Sequence, residues 1–186
     1  MILPVYAYGS PLLRKISDDI GPDFDGLSDL IDNMFETMSS SEGVGLAAPQ
    51  VGLSIRLFVV DANIYADEEP SLKGFRKVFI NPDIYHYAGD EELITEGCLS
   101  IPAIHEEVSR PGIIRIRYVD GLFQEHDEKF IGMAARIIQH EYDHLDGILF
   151  TDKLSVLKKR LLKGKLRDIS RGKTNAHYKM IFPAKK

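Results

Sequence analysis

Residues 139–147 read QHEYDHLDG, directly after the mostly apolar run IGMAARII. On a helix, residues four apart lie on one face, one turn apart. His140 and His144 can therefore aim imidazole nitrogens at a single ion. Glu141 lies about 100° round the helix axis, within reach of a water at that ion without being a ligand to it. This is the His-Glu-x-x-His arrangement, in which two histidines hold zinc or a similar cation and the glutamate is the general base. The same pattern also suits a helix with two satisfied histidines and a surface glutamate. Met133 and Ile137 continue the histidine face toward the helix N-terminus.

A catalytic site of this kind takes three protein ligands and keeps a fourth position open. Downstream, His177 lies far along the chain, and Asp146 and Asp152 are too near the motif for a simple return. Upstream stands Cys98, in EGCLSIP, the single cysteine of the sequence. As a thiolate it is a soft ligand, and a bound cation would lower its pKa. A Cys-His-His set suits zinc, iron, nickel or cobalt alike. Spacing alone leaves open whether Cys98 meets the helix.

These residues need a frame. Leu27, Leu30, Ile31, Met34, Phe35 and Met38 recur at helical spacing and predict an amphipathic helix over about residues 25–40. SSSEG ends it, and the glycine-rich loop GVGLAAPQVG follows. RLFVVDA, RKVFINP and DIYHYAG read as strands, and IIRIRYVDGLF alternates before meeting Asp120-Gly121, a hairpin signal. A second helix is expected over about 129–145, stopping before Gly147. A third, basic helix is expected from Ser155 as N-cap to about Ile169. This order predicts an α+β fold, with small antiparallel sheets packed around a central helix that carries the metal-binding motif, and a C-terminal helix.

At 186 residues the chain suggests one domain. It is expected over 1–169, C-terminal helix included, with a basic tail over 170–186. A hydrophobic share of 44% and a charged share of 27% are ordinary for a globular protein. No stretch approaches the ~18–20 apolar residues that cross a bilayer, so no membrane association is expected. The opening MILPVYAYGSPLLRK lacks the basic start of a signal peptide, and a lone cysteine fits a reducing compartment, which together suggest the cytoplasm. From Thr151 onward 12 Lys/Arg face 2 Asp/Glu, a balance of +10, while the first 150 residues carry −15. A basic end on an acidic body is either a solvated helix with a frayed terminus or an attachment for a polyanion. The acidic body argues against nucleic-acid binding as the main function, and no DNA partner is expected.

Three stretches taken together resemble a known family. GVGLAAPQ (Gly43–Gln50), EGCLS (Glu96–Ser100) and QHEYDHLDG (Gln139–Gly147), in this order, are similar to the signature motifs of the peptide deformylases. YGSPLLRK and NPDI fit as well, so the resemblance covers about residues 1–155. The family is metal-dependent and removes the formyl group from the N-terminal formylmethionine of new proteins. The resemblance implies Cys98, His140 and His144 as ligands of one divalent ion, with Fe2+ expected and Zn2+, Ni2+ or Co2+ as alternatives. It implies Glu141 as general base, and the Gln50 side-chain amide and Leu99 backbone N–H as donors to the reacting carbonyl.

Around that centre, Gly43 and Gly45 would let the loop backbone approach a peptide bound as an added strand. Val44, Ile94, Met133 and Ile137 would line an apolar slot for the methionine side chain, with Arg136 at its mouth; the same residues also suit a plain core face and a solvated arginine. Asp143 is expected either to accept the free ring N–H of a ligating histidine or to stand as a surface acid. Glu96 and Arg110 are expected to form an ion pair that fixes the Cys98 strand. The implied partners are formylmethionyl nascent peptides and, through KKRLLKGKLR, ribosomal RNA phosphates. On that reading, truncation after Asp152 abolishes ribosome binding and spares activity on a short peptide. The helix motif alone also permits a peptidase or a structural metal site. The Cys98 and Gln50 contexts favour the deformylase, and no fourth protein ligand stands ready for a structural site.

Overall fold

A computed structural model of the chain describes residues 1–184. In chain order it comprises strand β1 (Val5–Tyr6), helix α1 (Leu27–Ser40), strands β2 (Gly45–Ala47), β3 (Leu57–Asp61), β4 (Arg76–Cys98), β5 (Ile101–Val119) and β6 (Glu125–Ile131), helices α2 (Gly132–Leu145) and α3 (Val156–Ser170), and strand β7 (Met180–Ile181). Strands β2 to β6 form one antiparallel sheet in sequence order. β1 and β7 form a separate two-residue pair, which is parallel. The expected α+β class is the one adopted.

RKVFINP and DIYHYAG, read as two strands, are one. Pro82 has no N–H to donate, and the ladder skips it through a register shift between Ile80 and Asp83. Asn81, beside it, takes a left-handed φ of 49°. Its side chain accepts from the Ile20 N–H at 3.0 Å and donates to the Ile20 carbonyl at 2.8 Å, tying the bulge to the preceding loop. β4 therefore runs unbroken to Cys98, which pairs with Ile101 across a tight turn.

Helix α2 starts later than expected because Glu125–Ile131 is a strand. It returns from the Asp120 hairpin, whose carboxylate accepts the N–H groups of Leu122 and Gln124 at 2.9 and 3.1 Å. Gly132, at φ 57°, turns the chain from strand into helix. No local side chain caps α2; instead Glu69 accepts the Met133 N–H at 3.1 Å, placing a carboxylate at the helix N-terminus. Every residue from Ala134 to Glu141 is buried, as befits a central helix enclosed on several sides. Its apolar residues, Ile137 and Ile138 among them, pack on Phe58, Phe79, Ile114 and Phe130 of the sheet.

Helix α3 begins where expected, with the Ser155 hydroxyl accepting the Lys158 N–H at 3.3 Å. Leu162, Leu166 and Ile169 are buried beside Ile101, Leu149 and Phe150, and Cys98 packs against the same cluster. Among the described residues, the chain after α3 does not fray. Gly172, at φ 77°, reverses it, and it returns alongside the N-terminus. The Val5 N–H donates to the Lys179 carbonyl and the Ala7 N–H to that of Ile181, both at 2.9 Å. Residues 185 and 186 of the expected tail lie outside the described residues. Among the described residues, no helix is long and apolar enough to cross a membrane.

Candidate metal centre

α2 and the end of β4 bring three ligand-type side chains together. One donor atom each from Cys98, His140 and His144 lies within 4.8 Å of the others. The Cys98 sulfur is 3.4 Å from Nε2 of His144. The two imidazole rings stand nearly edge to face, with centroids 5.1 Å apart. His140 donates its Nδ1–H to Glu96 at 2.9 Å, so Nε2 is the nitrogen turned to the centre. Among the described residues, Nδ1 of His144 and Oε2 of Glu141 are buried without a hydrogen-bond partner. Burial pushes His144 well below its ordinary value and favours the neutral ring. A soft sulfur and two imidazoles, with no fourth protein donor among the described residues, form a set that fits a divalent cation with an open position.

Glu141 stands beside this set. Burial pushes its carboxyl up to about 7, opposed by the charge on His140. The room it occupies comes from Gly45, where a Cβ would lie 2.4 Å from a Glu141 oxygen. A Cβ on Gly43 would lie 2.9 Å from the Leu99 side chain. Both glycines thus let the loop before and within β2 close onto the centre, a role nearer the reacting groups than peptide clearance alone.

Gln50 sits in a single helical turn directly after β2 and is 2% exposed. Its Oε1 accepts the Ala47 N–H at 2.9 Å, so its amino group must face the other way. That amino group points to the Cys98 sulfur at 3.4 Å and the Ser100 hydroxyl at 3.3 Å. The backbone thereby sets which end of the amide faces the centre.

Behind His140 lies a buried charge network. Glu96 accepts from Arg110 at 2.6 and 2.9 Å, from Arg136 at 2.9 Å and from His140. Burial alone would raise the Glu96 carboxyl, but the hydrogen bonds from His140 and Arg110 outweigh it and hold the group well below the usual range. The expected Glu96–Arg110 pair is present. Arg136 is 4% exposed, so it is not a solvated arginine, and besides Glu96 it donates to the carbonyls of Val108 and Glu92 at 2.8 and 2.6 Å. A buried carboxylate draws in whatever cation the helix face offers. Asp143 does not meet a ligating histidine. It accepts from Arg110 at 2.7 Å and lies 3.2 Å from Lys153, on the side of α2 that faces β5.

A cavity of about 490 Å³ opens onto the centre. Val44, Met133, Arg136 and Ile137 line it as expected, with Gly43, Gly45 and Leu99. Ile94 is not among its lining residues; it is half-buried opposite Val108, further along β4. Tyr65, His105, His177 and Tyr178 line the cavity in addition to the expected set. His105 and Tyr65 carry no local sequence signal for such a place, and His177 reads from the sequence only as a distant ligand candidate. Tyr178 donates its hydroxyl to the Leu99 carbonyl at 2.7 Å.

A cysteine and a helical histidine pair closing on one point, with a free buried carboxylate and a cleft beside them, define the site of a metal-dependent hydrolase. The sequence pattern of the polypeptide deformylase family matches residues 2–160. A peptide deformylase of Christiangramia forsetii is 54% identical over 190 residues, spanning 98% of this chain and 97% of that protein. Another, from Cytophaga hutchinsonii, is 52% identical and spans all of both chains. The crystal structure of the peptide deformylase from Thermus thermophilus superposes with a TM-score of 0.81 at 37% identity, covering 93% of this chain and 100% of that one. The chain belongs to the peptide deformylase family, metal-dependent hydrolases that remove the formyl group from the N-terminal formylmethionine of nascent polypeptides.

Proposed function

We propose that Cys98, His140 and His144 hold one ferrous ion, that Glu141 moves the proton in hydrolysis of the formyl group, and that Gln50 and Leu99 hold the formyl oxygen. The observation that carries this reading is the convergence of the three ligand atoms beside an unpartnered Glu141 carboxylate. When bound, the cation supplies Lewis acidity toward water and carbonyl. Glu141 takes the proton that the attacking water gives up and returns it to the departing amine nitrogen, so that formate and a free N-terminal amine result. A carboxyl raised by burial is suited to both halves of that exchange. The amino group of Gln50, aimed by the Ala47 N–H, and the Leu99 N–H meet the negative charge that grows on the formyl oxygen.

Val44, Met133 and Ile137 receive the methionine side chain, and the backbone at Gly43 and Gly45 lies close enough to pair with the peptide. Glu96, Arg110, Arg136 and Asp143 hold the histidine and the Cys98 strand in place. The protein works in the cytoplasm, and residues 1–184 act as one unit, since the boundary expected at 169 falls inside packed structure. Anaerobically purified protein is expected to release formate from formyl-Met-Ala-Ser and to leave acetyl-Met-Ala-Ser intact. Cleavage of internal peptide bonds, or no formate, would contradict the reading.

The outer face of α3 supports a ribosomal contact. Lys159, Arg160 and Lys163 are exposed there, alongside exposed Val156, Leu157 and Leu161. Truncation after Asp152 does not test this, because it removes Leu162, Leu166 and Ile169 from the cluster that supports Cys98. Charge reversal of Lys159 and Lys163 to Glu is expected to weaken salt-sensitive ribosome binding and spare formate release. Undiminished binding would remove the contact from the account.

A further inference from the structure

The family pattern ends at residue 160, yet the cavity does not. Two of its lining residues, His177 and Tyr178, come from the segment after α3. That segment is anchored on both sides of them. Met180 and Phe182 pack against the cluster that holds Ile101 and Cys98, and the backbone of 179–181 bonds to Val5 and Ala7. β1 then continues into Tyr8, whose N–H donates to the Ser100 carbonyl at 2.8 Å. The Tyr178 hydroxyl holds the neighbouring Leu99 carbonyl at 2.7 Å. The two peptide carbonyls that follow the Cys98–Leu99 step are therefore gripped by groups from the two chain ends.

We propose that residues 171–184 form a strap that completes the peptide-binding wall, and that Tyr178 is a positioning residue that sets Leu99 through its carbonyl. This rests on the deformylase reading given above, in which the Leu99 N–H holds the formyl oxygen. The carbonyl and N–H of Leu99 flank one Cα, so pinning the carbonyl limits how far the residue can rotate. Donor placement within a fraction of an ångström decides how well a growing negative charge is met. His177, exposed beside Tyr178 with ring centroids 5.2 Å apart, faces peptide residues beyond the methionine.

Two measurements test the strap. A peptide Met-Bpa-Ser, with a photoreactive benzoylphenylalanine after the methionine, is irradiated with the wild-type protein and the adducts are mapped by mass spectrometry. Adducts on His177 or Tyr178 are expected; adducts confined to other walls of the cavity would overturn the strap's role. This requires no variant and no turnover. Formate release by the wild type, measured separately, reports on the deformylase reading, so failure of one is distinguishable from failure of the other. Tyr178→Phe, which removes one oxygen, is expected to lower kcat per bound metal by about three- to tenfold, the effect of one lost hydrogen bond. KM for formyl-Met-Ala-Ser, metal content and thermal midpoint stay unchanged. An unaltered kcat, or a fall matched by lost metal, would overturn the positioning role.

Discussion

Two buried glutamates flank His140, and their surroundings differ in kind. Glu96 is met by two guanidiniums and an imidazole N–H, and its carboxyl is held well below the usual range. Glu141, equally buried, keeps one oxygen without a partner and is pushed up to about 7. The same side chain is thus made inert in one place and reactive in the other. Saturation with donors stabilises the charged form and gives an anchor. Burial with too few donors brings the protonated and charged forms close in energy, which suits a group that must accept and release a proton within one turnover. On the proposed function, the anchor aims the histidine and the poised carboxyl works in front of it.

The largest test of this contrast is Glu141→Gln. It keeps the shape and removes the proposed proton carrier, so kcat for formate release is expected to fall about 10²- to 10⁴-fold. Metal content and thermal midpoint should hold, because no ion pair is lost; a midpoint that drops steeply would make Glu141 an anchor too. Next comes Arg110→Leu on the other side. Glu96 and Asp143 lose their shared guanidinium, and breaking such a buried pair typically removes about 3 kcal/mol or more of stability. Denaturant unfolding should show that loss, and dialysis should strip metal from the variant faster than from the wild type. Unchanged metal retention would separate the network from the centre. The smallest expected effect is Asp143→Asn, which keeps a hydrogen-bond acceptor for Arg110 and weakens a partly solvated contact. It should change stability by about 1 kcal/mol and leave kcat within twofold. A large fall in kcat there would return Asp143 to the histidine contact that the structure does not show.

The helix bearing the two histidines is the most legible part of the chain, because helical periodicity places His140, His144, Ile137 and Met133 on one face without help from anything distant. Cys98 is a candidate by type alone; resemblance, not spacing, brings it to the helix. Legibility fails where long-range partners decide. Arg136 and Asp143 sit where expected on α2, but their partners come from β4 and β5, so their roles change. Pro82 reads as a break between strands, and only the bulge with Asn81 shows how one strand passes through it. Lys129–Ile131 read as the start of a helix because KFI precedes an apolar helical run, yet pairing with β5 makes it strand. The strap is hardest of all: a two-residue strand has no periodicity, and its partner lies at the opposite end of the sequence.

All of these readings depend on sulfur and two imidazoles sharing one ion. X-ray absorption at the metal edge of the zinc-substituted protein tests that directly. The account predicts one sulfur at ~2.3 Å and two nitrogens at ~2.0–2.1 Å, with one further light-atom position. A shell of nitrogen and oxygen alone, with the Cys98 thiol still free to alkylation in the loaded protein, would contradict it.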